Sequence, residues 1–186
     1  MDCLKILYRP RHESTEEKPA EINDQEAQRA RFVWGLLHDR QRIPGTQPDG
    51  SISGPELRKW VTTARNAARE ADRLEVCDVR IGEVFAYAPD DDNRVKPCLP
   101  VREIIEELES DHIDSGFATG LFNLAGPYWK GFDAGGQRER ELAATYERYA
   151  KACEIEWPRT AAALRSVAQS YLEMAQREDE DTGMRG

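Results

Sequence analysis

The stretch that decides the fold class is residues 137–176, QRERELAATYERYAKACEIEWPRTAAALRSVAQSYLEMAQ. Its apolar residues recur every three or four positions, which places them on one face of an α-helix. Trp157 and Pro158 interrupt this pattern, and proline is favoured at the first position of a new helix. Two amphipathic helices joined by so short a connection predict a long antiparallel α-hairpin.

Similar patterns extend upstream of the hairpin. Residues 24–39, 55–74, 100–109 and 114–124 are each predicted to be helical, and Ser53 is the expected cap of the second of these helices. Residues 76–89 fit a strand or a helix, and we favour a helix because Ile81, Val84, Phe85 and Ala88 would share one face. The sequence therefore predicts an all-α fold, an irregular helical bundle that ends in the hairpin.

The polar ends of the chain suggest its division into segments. Residues 1–23 combine a short apolar piece with a polar, proline-containing stretch, and residues 177–186 are mostly charged. We predict an N-terminal docking segment at 1–23, a helical domain at 24–176 and a frayed charged tail at 177–186.

The charge balance bears on nucleic-acid binding. The chain has 35 acidic and 26 basic residues, a net charge of −9. A free-standing non-specific DNA binder usually has the opposite sign, because phosphate contacts require Lys and Arg. Local basic patches stay possible, and the candidate phosphate contacts are Arg29, Arg31, Arg40, Arg42, Arg138 and Arg140.

The cysteines indicate a reducing compartment. Cys3, Cys77, Cys98 and Cys153 are widely separated, and none forms a CxxC pair, so a zinc ribbon or thioredoxin-type site is not expected. The N-terminus has an apolar run too short for a signal peptide or a membrane span. We expect a cytoplasmic protein without a cofactor, a metal site or a membrane partner.

Residues 44–61, PGTQPDGSISGPELRKWV, partly match a calcium-binding loop. With Gly50 as the turn glycine, Asp49 and Glu56 occupy ligand positions, but the first and third positions are Gly45 and Gln47. Calcium needs six to eight oxygen ligands, and the missing first carboxylate is normally one of them. The pattern favours a tight turn at Asp49 and Gly50 that precedes a helix.

Catalytic motifs are absent from the sequence, which contains no GxSxG, P-loop, GxGxxG or HEXXH pattern. Asp111, His112 and Asp114 could contribute to a metal site, but no second cluster completes it, and a charged turn that ends a helix is the simpler interpretation. An enzyme would need a site assembled from scattered residues such as Asp111, His112 and Asn123.

Aromatic and glycine residues concentrate in residues 115–132, SGFATGLFNLAGPYWKGF. Exposed rings between flexible glycines suit recognition of a partner, whereas the alternative is that the rings fold inward. Together with the apolar N-terminus, this stretch supplies the predicted partner-binding residues, which are Leu4, Ile6, Leu7, Tyr8, Phe117, Phe122, Tyr128, Trp129 and Lys130.

Three stretches carry a resemblance to known sequences: residues 34–61, which begin WGLLHDRQ, residues 64–89, which begin ARNAAREAD, and residues 135–171, which begin GGQRERELAA. They resemble the C-terminal region of large, mostly uncharacterised bacterial proteins, some of them linked to anti-phage or mobile-element loci. The resemblance implies no catalytic residues. It implies that this chain could be a fragment or a small subunit that needs a larger partner.

These observations lead to three functional hypotheses. The first is a non-catalytic helical module that docks onto a larger bacterial protein or complex. The second is a nucleic-acid-associated subunit that uses the arginine patches. The third is an enzyme whose site the motifs do not reveal.

Overall fold

Six α-helices make up most of the described part of the computed structural model, which comprises residues 43–124 and 136–183. They are α1 (Gly54–Glu70), α2 (Leu74–Phe85), α3 (Leu99–Leu108), α4 (Asp111–Leu124), α5 (Gln137–Cys153) and α6 (Pro158–Gly183). In these ranges, the β-type hydrogen bonding is an isolated antiparallel bridge between Thr46 and Ile52. The all-α prediction is confirmed, and the predicted helix at 24–39 lies outside the described residues.

Local backbone geometry sets the helix boundaries. Helix α1 ends at Glu70 rather than at Leu74, because Asp72 takes a left-handed conformation with φ of 54° and α2 begins at once. Helix α3 ends at Leu108 for the same reason, because Glu109 takes a left-handed conformation with φ of 46°. Asp111 therefore begins α4, and the prediction that residues 111–114 form a turn at the end of a helix is wrong.

Helices α2 and α4 pack closely because glycines form their contact. A β-carbon on Gly116 would overlap the carbonyl oxygen of Val79 and lie 2.8 Å from its carbonyl carbon. A β-carbon on Gly82 would overlap the Ile113 carbonyl oxygen and lie 2.6 Å from the Phe117 amide nitrogen. The residues around this contact include the fully buried Ile81, Phe85, Ile113, Phe117 and Leu121, which form the centre of the core.

A buried ion pair links α1 to α2. The Arg65 guanidinium donates two hydrogen bonds to the Asp78 carboxylate, at 2.9 and 3.0 Å. The Ser110 hydroxyl donates a third, at 2.7 Å, from the residue just before α4. Asp78 is only 2% exposed, so this polar cluster joins three helices inside the fold.

Helices α5 and α6 pack along each other in opposite directions. Gly136, at the start of α5, lies against Ala175 in the second half of α6, whereas Glu154, just after α5, pairs with Arg165 in the first half of α6. The predicted apolar faces mostly form this contact, although Leu172 is 41% exposed.

Residues 177–183, in the charged C-terminal part of the chain, belong to helix α6. Helix α6 continues through Gly183, so the prediction of a frayed tail is wrong for residues 177–183. The Asp179 carboxylate accepts hydrogen bonds from the Gly136 amide at 2.9 Å and from the Arg140 guanidinium at 2.6 Å. These two bonds hold the carboxylate in its ionised form and lower its pKa.

A glutamate from a neighbouring helix accepts hydrogen bonds from the first backbone amides of α6. The Glu106 carboxylate on α3 accepts hydrogen bonds from the Arg159 amide at 3.1 Å, the Thr160 amide at 2.8 Å and the Thr160 hydroxyl at 3.0 Å. The first amides of a helix have no partner within the helix, and a negative charge there also interacts favourably with the helix dipole.

Replacing Glu106 with alanine should therefore lower the free energy of unfolding by about 2 kcal/mol, since it removes a capping group and a charge interaction together. Urea denaturation followed by circular dichroism measures this change. Glu103→Ala is the matched control, because Glu103 is an exposed residue of α3. Equal stability of the two variants would contradict the capping role.

A buried arginine fixes the loop before α3. Arg102 donates hydrogen bonds to the Asp91 carboxylate at 2.9 Å and to the Val95 carbonyl at 2.7 Å, and its guanidinium lies 5.0 Å from the centre of the Trp157 ring. Burial alone would raise the pKa of Asp91, but hydrogen bonds from the Val95 amide and Arg102 outweigh it and lower the pKa. The loop is thus tied to α3 and to the connection between α5 and α6.

None of the helices in residues 43–124 and 136–183 is both long and apolar enough to cross a membrane.

Candidate functional site

A groove with a volume of about 470 Å³ lies between α4 and α6. Its α4 wall begins at Asp114 and ends at Phe122, and its α6 wall begins at Arg159 and ends at Ser170. We call this surface the α4–α6 groove.

Small side chains form most of both walls. On α6, Ala162, Ser166 and Ser170 are spaced by four residues and therefore line one face of the helix. On α4, Ser115 and Thr119 have the same spacing, and both are exposed. Long charged side chains are usual on an exposed helix face, so these small residues keep the space between the two helices open.

The groove ends at Phe122 in an aromatic cluster. The Phe122 ring lies 5.0 Å from the Tyr171 ring, which stacks on Tyr146 at 5.8 Å. The Tyr171 hydroxyl donates a hydrogen bond to the Phe122 carbonyl at 3.3 Å, and burial raises the pKa of Tyr146 to about 12. These tyrosines stay neutral at physiological pH and hold the end of α4 against α5 and α6.

The opposite end of the groove is charged. The Arg159 guanidinium contacts the carboxylates of Asp111 and Asp114, each at 2.6 Å. Hydrogen bonding to Asp111 raises the pKa of Arg159 above its usual value. Burial raises the pKa of Asp114, and the neighbouring charges of Asp111 and Glu106 act in the same direction, whereas Arg159 opposes the shift.

The polar groups that line the groove also make contacts within the fold. Arg159 pairs with one oxygen of Asp111 and one oxygen of Asp114, and the other oxygen of Asp114 is buried without a hydrogen-bond partner among the described residues. The Ser170 hydroxyl donates to the Ser166 carbonyl of its own helix at 3.0 Å. The groove therefore combines walls of small residues with a charged end.

The predicted aromatic contacts have different outcomes. Phe117 is completely buried in the core, so its ring is not available to a partner. Phe122 is half-buried and lines the α4–α6 groove. The other predicted partner-binding residues lie outside the described residues; they are Leu4, Ile6, Leu7, Tyr8, Tyr128, Trp129 and Lys130.

Two of the candidate phosphate contacts, Arg138 and Arg140, lie among the described residues. Arg140 is paired with Asp179 at 2.6 Å, and both side chains are about half exposed. Arg138 is half-buried near the start of α5. Arg29, Arg31, Arg40 and Arg42 lie outside the described residues.

The positions of Asp111, His112 and Asn123 do not support the hypothesis that they form one catalytic site. Asp111 binds Arg159, and the His112 side chain is half-exposed beside Glu75, with 3.8 Å between Nε2 and Oε1. Asn123 lies on the same helix, about 16 Å further along its axis at roughly 1.5 Å per residue. The structure does not bring Asn123 together with the other two residues.

Residues 45–53 form the predicted tight turn. The Asp49 carboxylate accepts hydrogen bonds from the Ser51 amide at 2.9 Å and the Ser51 hydroxyl at 2.7 Å, and these bonds lower its pKa. Gly50 has φ of 86°, a conformation that favours glycine. Ser53 occupies the predicted N-cap position, but its hydroxyl makes no capping hydrogen bond.

The sequence patterns did not predict the α4–α6 groove. The available signal was the small, largely exposed face formed by Ala162, Ser166 and Ser170, in a chain whose exposed helix faces are otherwise rich in charge. Periodicity analysis assigns such small residues to either the core or the surface, and it does not reveal a groove between two helices.

Comparisons with protein-family models, with curated proteins and with solved structures found no match to this chain.

Proposed function

We propose that this chain is a non-catalytic helical interaction module, or small subunit, that docks onto a larger bacterial protein through the α4–α6 groove. The observation that carries the proposal is the groove itself, a concave surface of about 470 Å³ with walls of small residues. The resemblance in sequence supports a search for the partner among bacterial anti-phage and mobile-element proteins.

A protein partner fits the groove better than a small molecule does. Small-molecule sites present several convergent polar groups that orient the ligand. Here Arg159 is already bonded to two carboxylates, and the Ser170 hydroxyl is bonded to its own helix. What remains is mainly shape, and protein interfaces use shape complementarity across many small contacts. Segment 1–23 stays a predicted additional contact of the same partner.

Replacing Ala162 with arginine should abolish docking, because a long charged side chain would fill the groove. Ala162 is exposed on α6, so the fold should tolerate the change. The tagged full chain is recovered from its native cells, and co-purified proteins are quantified by mass spectrometry. We expect a stoichiometric large partner with the unmodified chain and at least a roughly tenfold loss with the Ala162→Arg variant.

The matched control is Ala152→Arg, the same substitution at an exposed position of α5 that does not line the groove. It should retain the partner, and both variants should melt at the temperature of the unmodified chain. Recovery of the chain alone, or equal partner recovery with both variants, would refute the proposal.

A further inference from the structure

The charge at one end of the α4–α6 groove is unbalanced. Three carboxylates, those of Glu106, Asp111 and Asp114, contact Arg159 through its side chain or its backbone amide. The guanidinium itself pairs with two of them, Asp111 and Asp114, so two carboxylates share one side-chain cation at this end of the groove. The Asp111 side chain is 94% exposed, so it remains accessible at the groove's rim although it pairs with Arg159. A cation from a partner would find a favourable position here.

The walls beyond this end have the dimensions of a short helical contact. Their residues run from Ser115 to Phe122 on α4 and from Ala162 to Ser170 on α6. About eight residues of helix span about 12 Å, or roughly two turns. Small side chains let helix axes approach toward the lower end of the usual range of roughly 8–10 Å. A third helix could therefore rest between α4 and α6.

The backbone of the groove walls favours a helical partner over an extended peptide. Both walls are helices, and the backbone groups along a helix interior are bonded within that helix. An extended peptide would bury amides and carbonyls without finding partners for them, which is costly. A helix satisfies its own backbone hydrogen bonds and can bury its side chains in a groove.

We propose that the partner inserts an α-helix with a small or apolar face, and that this helix carries a Lys or Arg placed to meet Asp111. This inference rests on the proposed function and specifies the chemistry of the partner. The small face packs on Ala162, Ser166 and Thr119, and the cation offsets the excess of negative charge at the groove's end.

A photoreactive amino acid at Thr119 tests this inference in the full chain and in its native cells. Thr119 is exposed on the α4 wall, and Ala144, exposed on α5, is the control position. Mass spectrometry then identifies the crosslinked peptide. We expect an adduct from Thr119 but not from Ala144, and a captured segment with a basic residue that gains helical circular dichroism when its synthetic peptide binds the full chain.

Charge reversal supplies the second arm of the test. Asp111→Lys should reduce the crosslink yield at least about fivefold, since it replaces an attraction to the partner's cation with a repulsion. Asp92→Lys makes the same charge change in the exposed loop before α3 and should leave the yield unchanged. A captured acidic or extended segment would overturn this inference and leave groove docking intact. A crosslink within the chain itself, or no crosslink although a partner co-purifies, would overturn both proposals.

Discussion

Replacing Gly116 with alanine should lower the free energy of unfolding by about 3 kcal/mol, because the added methyl group has no space. A β-carbon at this position would overlap the Val79 carbonyl oxygen and lie 2.9 Å from the Val79 α-carbon. These neighbours are backbone atoms of α2, so relief requires the two helices to move apart. Alanine favours a helix over glycine by roughly 1 kcal/mol, and the steric cost has to exceed that gain.

Equilibrium unfolding in urea measures this effect, and a fall in melting temperature of roughly 6–12 °C should accompany it. Gly54→Ala is the matched control. Its β-carbon would lie 3.6 Å from the Pro100 β-carbon, an ordinary contact, so stability should change by less than about 0.5 kcal/mol. If the two variants were equally stable, the close packing of α2 on α4 would be wrong.

Replacing Asp78 with asparagine should also cost about 3 kcal/mol, because it removes one partner of a buried ion pair. The Arg65 side chain is 13% exposed and that of Asp78 is 3% exposed. Water therefore cannot fully solvate the Arg65 guanidinium once its carboxylate partner is removed. Asp111→Asn provides the comparison. Asp111 also pairs with an arginine, but its side chain is 94% exposed, and such pairs contribute little.

A double-mutant cycle measures the interaction energy between Arg65 and Asp78 separately from the contacts that each makes with other residues. Adding Arg65→Met to Asp78→Asn should recover at least about 1 kcal/mol relative to the sum of the single changes, because no unpaired charge then remains inside the fold. Strictly additive effects would mean that Arg65 and Asp78 are not energetically coupled.

Periodicity predicts the helices well where one face enters the core. The ambiguous stretch at 76–89 is largely helical, and the buried Ile81 and Phe85 show why its spacing of four residues was informative. Boundaries were less predictable. A left-handed residue such as Asp72 ends a helix, and aspartate occurs in many other conformations, so its presence alone does not mark a boundary.

Long-range contacts explain what the sequence did not reveal. Asp179 bonds to Gly136, 43 residues away, and this contact makes a charged segment part of the fold. Likewise Gly82 and Gly116 look like ordinary helix-weakening residues until α2 and α4 are paired. The α4–α6 groove also depends on two helices that are separated in sequence, so the small exposed face of α6 did not predict it without α4.

The central claim is that the α4–α6 groove is the docking surface. Once the partner is purified, calorimetry should compare its affinity for the unmodified chain, for Ala162→Arg and for Ala152→Arg. Filling a central contact site commonly costs about 2 kcal/mol or more, about 30-fold in affinity. We predict at least that loss for Ala162→Arg and an unchanged affinity for Ala152→Arg. Equal affinities for all three chains would contradict docking through the groove.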